Sequence, residues 1–203
     1  EDCYTGAMIG CIEGIRSGIT TQVDYMYPHP REGLDDAVIS AFKDLKIRAI
    51  FGRGYMDSGY EYGVQKAMAQ TWQEIEADIE RLYDTYHGAQ DGRLHVWMAP
   101  AVPWTTSVEC MQMTKRFYDQ GVNLTIHTSE TDFDREATLK VHGLLDTDVL
   151  IHYGLMGPRT LLVHCVRLDE RDIRMIKACD ARVSHNPNSN MYLASGVAPI
   201  PAL

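Results

Sequence analysis

The residues best suited to chemistry are two histidines that each end a short apolar run. Residues 123–130 read Asn-Leu-Thr-Ile-His-Thr-Ser-Glu, which places His127 at the end of a predicted strand and Glu130 three residues later. Residues 160–165 repeat the pattern and carry His164. A neutral imidazole can bind a divalent metal, and a nearby carboxylate can move the proton of a water molecule. The pattern favours a shared site over the alternative that the three are ordinary residues at strand ends.

Three further residues follow predicted strands and are candidates for substrate binding. His185 comes after the sixth predicted strand, close to Asn190. These two residues could bind substrate, or they could hold their own loop through hydrogen bonds. Trp104 follows the third predicted strand, where its ring could stack on a flat substrate or cover the core. The other histidines lack a spacing typical of metal ligands, and we interpret them as structural or solvated: His29, His87, His95, His142 and His152.

These side chains must be positioned by a regular alternation of helices and strands. The apolar patterns predict strands over 19–25, 47–51, 94–102, 123–127 and 161–166, and a sixth from 183. Helices are predicted over 5–17, 34–45, 71–87, 107–119, within 135–145, and after an N-cap at Asp169. Residues 52–70, rich in Gly and Tyr, are predicted to form a long loop. Strands separated by helices predict a parallel sheet, either doubly wound or part of a barrel. No glycine-rich phosphate loop follows the first strand, so nucleotide binding has no support.

The composition excludes several classes of protein. The chain has 203 residues, which predicts one domain. Its net charge is −9 and its Lys and Arg residues are scattered, so we expect no nucleic-acid partner. There is no apolar run long enough to span a membrane and no signal-peptide pattern at the start. The five cysteines form no CxxC pair, which predicts reduced thiols in a cytoplasmic protein rather than disulfides or a thiolate metal site.

Several motifs together resemble the amidohydrolase superfamily. Ser17-Gly-Ile-Thr-Thr21 resembles its SGTTT segment, and His127-Thr-Ser-Glu130 its HxxE motif on the fifth barrel strand. Val163-His164-Cys165 resembles its sixth-strand His-Cys pair. Residues 185–199, which contain His-Asn-Pro-Asn-Ser-Asn and Leu-Ala-Ser-Gly-Val-Ala-Pro, resemble the stretch that follows. The likeness is to the aminohydrolase branch that includes atrazine chlorohydrolase, guanine and 8-oxoguanine deaminases and adenosylhomocysteine deaminase. Residues 86–88 and 93–101 look most like the atrazine chlorohydrolase side.

The resemblance implies an α/β protein with a TIM-type (β/α)8 barrel, of which this chain holds about six βα units. It implies a metal-dependent hydrolase that deaminates or dechlorinates a nitrogen heteroaromatic ring, such as a purine, pteridine or s-triazine, through metal-activated water. His127 would bind the metal and Glu130 would transfer protons. His164 would be either a second ligand or a catalytic hydrogen-bond partner of the water. Substrate binding is assigned to Trp104, His185 and Asn190. The expected cofactor is one divalent metal, zinc before iron, and the expected assembly is a homo-oligomer.

Departures from the family pattern set further expectations. The family's first-strand HxH pair and last-strand Asp have no counterparts here, so residues 1–203 are expected to be a single domain from the middle of a longer chain. The first and last barrel strands and the outer β-sandwich would then be absent, and the piece alone would be inactive. Two alternatives stay open. One is a non-catalytic or degenerate scaffold, and the other is a metal-dependent hydrolase of another C–N bond, such as an amide, or of an ester.

Overall fold

The structure, a computed structural model, describes residues 1–203 and contains six strands and nine helices. The strands are β1 (Thr21–Met26), β2 (Arg48–Tyr55), β3 (Leu94–Pro100), β4 (Leu124–Thr128), β5 (Thr160–His164) and β6 (Arg182–Ser184). The helices are α1 (Asp2–Arg16), α2 (Leu34–Leu45), α3 (Trp72–Tyr86), the short α4 (Ala89–Gly92), α5 (Val108–Asp119), α6 (Asp132–His142), α7 (Asp146–His152), α8 (Glu170–Ala178) and α9 (Pro187–Tyr192). The predicted alternation of helices and strands is confirmed.

The sheet decides between the two parallel architectures. All neighbouring strands are parallel, and their order in the sheet is the order of the chain, β1 to β6. A doubly wound sheet would reverse its order at a switch point, so this sheet is instead a segment of a barrel. Ser184 of β6 lines a cavity of about 670 Å³ together with Thr21 and Val23 of β1. The two edge strands therefore curl toward each other, and the predicted piece of a barrel is confirmed.

Local sequence fixes where several helices start, and the start of α6 lies next to a residue of the candidate site. Thr131 caps α6: its hydroxyl accepts the amide hydrogen of Asp134, and the Asp134 carboxylate accepts the amide hydrogen of Thr131. The cap of the helix therefore directly follows Glu130. Asp169 caps α8 in the same way with Asp172, which confirms the predicted N-cap.

The core lies between the sheet and the helices, in two apolar clusters. The larger includes Met98, Leu124, Ile126 and Leu162 from the strands, and the smaller packs α2 against β2 and β3. All five cysteines are free. Burial raises the pKa of the Cys165 thiol to about 12, so this thiol packs as an apolar group. No helix combines the length and the apolar character needed to cross a membrane.

The prediction of a loop over 52–70 is wrong for residues 52–55, because β2 continues to Tyr55. A Cβ atom on Gly52 would lie 2.7 Å from the carbonyl oxygen of Asp24 in β1. Glycine is needed here because the two strands approach closely, although its presence suggested a loop. The short helices α7 and α9 were also not predicted as helices.

Candidate active site

His127 is the fourth residue of β4, and its ring is held from two sides. Its Nδ1 lies 2.7 Å from the carbonyl oxygen of Ala101, just beyond β3. Because a carbonyl oxygen only accepts, Nδ1 carries the hydrogen and the Nε2 lone pair is free. The ring of Tyr25 packs edge-on at 4.4 Å between centroids. Tyr25 also donates its hydroxyl hydrogen to the carbonyl oxygen of Pro100. Strand ends of β1, β3 and β4 thus fix one imidazole.

The surroundings of His127 keep its ring neutral. Burial is the main cause, and neighbouring His164 adds to it; together they lower the pKa of His127 to about 4. The hydrogen bond to Ala101 opposes this shift but does not cancel it. A neutral imidazole with a free Nε2 is the form that binds a metal ion.

His164 ends β5 and faces His127. The two ring centroids are 5.1 Å apart and the ring planes differ by 24°. His164 is 4% exposed, and its Nδ1 lies 2.6 Å from the side-chain oxygen of Asn190. This contact places the hydrogen on Nδ1 and leaves Nε2 available, as in His127. Outer hydrogen bonds of this kind orient metal-binding histidines in proteins.

Glu130 lies between a donor and an acceptor. Ser195 donates its hydroxyl hydrogen to Oε1 at 2.8 Å, and Oε2 lies 3.4 Å from Nε2 of His164. A carboxylate oxygen and an unprotonated imidazole nitrogen are both acceptors, so they repel unless a proton or a cation lies between them. The gap is therefore suited to a positively charged or proton-donating group.

Three residues at this end of the sheet have unusual backbone conformations. Ser129, His164 and Cys165 have φ values of +47°, +72° and +52°. Residues other than glycine adopt positive φ values at a cost in free energy, and such strain is frequent at functional sites. Buried Asp146 compensates in part, because its carboxylate accepts hydrogen bonds from Ser129 at 3.0 Å and Thr138 at 3.1 Å. Burial raises the pKa of Asp146, and these hydrogen bonds oppose the rise.

The three predicted substrate-binding residues differ in how close they lie to the histidines. Trp104 donates from Nε1 to Asp134 at 3.0 Å and packs edge-on against Tyr62 and Phe133. His185 is exposed, directly after β6. Neither residue hydrogen-bonds to the two histidines or to Glu130. Asn190, by contrast, is 1% exposed and contacts His164 directly.

Sequence reasoning missed two residues of the site. Tyr25 lies in β1, about one hundred residues before the histidine it packs against, and nothing in its local sequence indicates that contact. Ser195 lies in the Leu-Ala-Ser-Gly segment that carried the family resemblance, so a signal was present, but it did not indicate a bond to Glu130.

The side chains of this chain do not by themselves form a complete metal site. No group of three or more His, Cys, Asp or Glu side chains in it converges closely enough to hold a metal ion. Catalytic zinc has three protein ligands and one open position. His127 and His164 fit as two of those ligands, because both present a free Nε2 and both have an oriented Nδ1.

Comparison with known proteins identifies the relatives of this chain. A model of the amidohydrolase family matches residues 1–203. The 5'-deoxyadenosine deaminase of Methanothermobacter thermautotrophicus is 36% identical over 202 residues, 99% of this chain and 44% of that protein. The 5-methylthioadenosine/S-adenosylhomocysteine deaminase of Desulfitobacterium hafniense is 34% identical over 204 residues, 100% of this chain and 44% of that protein. The chain thus spans less than half the length of these curated relatives.

A solved structure supports the fold independently. The atrazine chlorohydrolase of Arthrobacter aurescens TC1, crystallised in complex with zinc, superimposes with a TM-score of 0.89. The match covers 97% of this chain and 45% of that one, at 23% sequence identity. The comparisons confirm the resemblance drawn from the sequence motifs, and they confirm that six parallel βα units form part of a TIM-type barrel.

Proposed function

Because this chain belongs to the amidohydrolase family, we propose that the protein is a metal-dependent aminohydrolase that removes the amino group from the purine ring of an adenosine derivative. The substrate class is supported by the relatives named above, which are deaminases of 5'-deoxyadenosine, 5-methylthioadenosine and S-adenosylhomocysteine. The reaction exchanges an exocyclic amine for oxygen: water adds to the ring carbon and ammonia leaves.

One observation supports this proposal most strongly: His127, His164 and Glu130 lie at the ends of two adjacent strands, with the two imidazole rings stacked 5.1 Å apart and Nε2 of His164 lying 3.4 Å from the Glu130 carboxylate. A scaffold without catalysis has no physical need for this arrangement. Buried polar groups without complete partners and strained residues both cost stability.

The cofactor in this proposal is a divalent metal, with zinc as the first candidate. The similar chlorohydrolase structure contains zinc, and imidazole nitrogens suit zinc as well as iron. Once bound, such a cation makes water nucleophilic near neutral pH. His127 and His164 supply two ligands. We propose that the others come from regions of the protein outside these 203 residues, and that residues 1–203 are one domain that those regions complete.

Glu130 performs the proton transfers in this proposal. Its Oε2 faces the gap beside His164, while Oε1 is bonded to Ser195. Oε2 accepts a proton from the attacking water and delivers it to a nitrogen of the purine ring, which makes the attacked carbon more electrophilic. A second transfer moves the remaining proton of the added hydroxyl to the amine, which leaves as ammonia while the ring carbonyl forms. The Nε2 atom of His164, 3.4 Å from Oε2, would serve either as a metal ligand or as a hydrogen-bond partner of the water, because its one free lone pair cannot do both.

The substrate-binding residues remain Trp104, His185 and Asn190. The Trp104 ring lies in the loop after β3, at the same end of the sheet as the histidines, and is suited to stacking on a purine. His185 is exposed after β6 and is suited to contact a polar part of the substrate. The Nδ2 atom of Asn190 is buried and has no hydrogen-bond partner, so it can donate to a substrate acceptor.

An assay of the whole protein for ammonia release, and for chloride release from the triazine, tests the proposal. We expect turnover of adenosine derivatives in a panel that also contains guanine, a pteridine and a chlorinated s-triazine. Glu130→Gln should lower kcat by about 10² to 10⁴ because the proton-transfer group is lost. Glu136→Gln is the matched control, since Glu136 is exposed on α6, and it should leave kcat unchanged. A wild-type protein that binds zinc but acts on none of these compounds would contradict the proposal.

A further inference from the structure

The segment from α9 to the end of the chain contacts two of the three residues of the candidate active site. We propose that Ser195 is a positioning residue that orients the Glu130 carboxylate, and that Asn190, five residues earlier, orients His164 from the same segment. This inference rests on the proposed function for its kinetic consequence, but the contacts themselves do not depend on it.

The contact of Ser195 is enclosed and specific. Ser195 is 2% exposed, and its hydroxyl donates to Oε1 of Glu130 at 2.8 Å. These two residues are 65 positions apart, so the fold rather than local sequence brings them together. The carboxylate side chain itself is 16% exposed. A buried hydroxyl that donates to a partly open carboxylate fixes which oxygen points outward.

The backbone around Ser195 is shaped to present this hydroxyl. Ala194 and Gly196, on either side, have φ values of +56° and +121°. A Cβ atom on Gly196 would also lie 3.1 Å from a methyl group of Val166, so this position favours glycine in two ways. The amide of Ser195 donates to the carbonyl oxygen of Asn190 at 2.9 Å. The strain at Ala194 is the kind of cost that is retained where a side chain must be placed accurately.

Asn190 acts on the second residue from within the same segment. It is 1% exposed, and its Oδ1 lies 2.6 Å from Nδ1 of His164. The Ser195–Asn190 backbone hydrogen bond joins the two contacts into one unit. A shift of this segment would therefore displace the acid/base group and the imidazole together.

The arrangement leaves one carboxylate oxygen for chemistry. With Oε1 bonded to Ser195, Oε2 is the oxygen that lies 3.4 Å from Nε2 of His164. Without the hydroxyl, the carboxylate can rotate and spends less time in the productive orientation. Misplacement of a reacting group by about 1 Å can lower a rate by about 100-fold. Because Ser195 binds Glu130 and not the substrate in this scheme, kcat should fall while KM stays the same.

The test uses the whole, metal-loaded protein and three variants. Ser195→Ala should lower kcat about 10- to 100-fold, with KM within about twofold of wild type and metal content unchanged. Ser195→Thr, which keeps a hydroxyl, should recover most of kcat. Ser189→Ala is the matched control, because Ser189 lies on α9 and its side chain makes no hydrogen bond in the structure. It should behave as wild type.

Crystal structures of the wild type and Ser195→Ala supply a second readout that does not need activity. The Glu130 carboxylate should move or occupy several orientations in the variant. An unchanged Glu130 in Ser195→Ala, or a rise in KM with kcat unchanged, would overturn the inference. If the wild type releases no ammonia from any adenosine derivative, the proposed function fails instead, and the position of Glu130 in the two crystal structures still decides the role of Ser195.

Discussion

Two pairs of histidines in this molecule have the same separation and different chemistry. The ring centroids of His127 and His164 are 5.1 Å apart, and so are those of His87 and His95. Each pair also has a tyrosine ring against one member, Tyr25 on His127 and Tyr83 on His87. Proximity alone therefore does not distinguish a candidate active site from an ordinary contact.

The difference lies in the nitrogen atoms and in the position along the strands. In the first pair, both Nδ1 atoms are bonded to acceptors and both Nε2 atoms are free, and Nε2 of His164 lies 3.4 Å from the Glu130 carboxylate. In the second, Nε2 of His95 contacts the carbonyl oxygen of Gly92 at 3.0 Å, and His87 contacts the backbone of Val96 through Nδ1. No carboxylate lies within ion-pair distance of either ring of the second pair.

Strand direction explains why only one pair has these features. His127 and His164 lie at the carboxyl ends of β4 and β5, whereas His95 is the second residue of β3, at the amino end. In barrels of this type the active site is built at the carboxyl ends, and residues at the other end serve stability. We therefore expect the first pair to determine metal binding and the second to affect only folding.

The largest expected effect is the loss of metal from the first pair. In the whole protein, His127→Ala removes one of the two proposed imidazole ligands, and His87→Ala removes neither. We expect His127→Ala to abolish stoichiometric zinc binding and with it activity, while His87→Ala keeps both. Metal content per chain, measured by elemental analysis after gel filtration, checks this prediction. Equal metal content in the two variants would show that the pairs do not differ as proposed.

The sequence was sufficient to predict which residues lie at strand ends, but not which distant residues contact them. His127, Glu130 and His164 could be recognised because each follows an apolar run. Parallel strands separated by helices must place their carboxyl ends together. This geometry converts a linear pattern into a prediction of proximity. The fold could be predicted for the same reason, since the alternation of elements allows few topologies.

The missed features depend on distant contacts. Tyr25 reaches the site from β1, and Ser195 reaches Glu130 across 65 positions. Asn190 was predicted to bind substrate, whereas the structure adds a contact with His164 that sequence spacing did not reveal. The sequence predicts a loop at Gly52, because the close approach of β1 that requires glycine is visible only in three dimensions.

A smaller effect is expected from the two tyrosines that contact the histidine pairs. Tyr25 donates its hydroxyl hydrogen to the carbonyl oxygen of Pro100, whereas the Tyr83 hydroxyl makes no hydrogen bond in the structure. Tyr25→Phe should therefore lower the free energy of unfolding by about 1 kcal/mol, and Tyr83→Phe by less than about 0.5 kcal/mol. Denaturant unfolding of both variants measures the difference.

Tyr25→Phe should also weaken zinc binding, by about tenfold, because the ring that supports His127 loses its anchor. Competition with a chelator measures this affinity. Tyr83→Phe serves as the control, since His87 is not expected to bind metal. A larger loss of affinity in the Tyr83 variant would mean that the two pairs do not differ in the way proposed here.

The smallest expected effect is a change in how stability depends on pH, and it comes from the second pair. Partial burial lowers the pKa of His87, and neighbouring His95 adds to the shift, while the hydrogen bond to Val96 opposes it. The groups that face His87 are His95 on β3 and Tyr83 on α3, to which its ring is stacked at 4.1 Å. Between the unfolded pKa, near 6.5, and the lower folded value, the unfolded chain binds a proton that the folded chain does not. Stability from this group is therefore complete above pH 6.5 and falls as the pH drops.

His87→Gln should make the unfolding free energy fall less steeply between pH 6.5 and 5, with no change in slope near pH 8. Denaturant titrations across this range test it, and an unchanged slope below pH 6.5 would mean that His87 is as free to take up a proton in the folded chain as in the unfolded one.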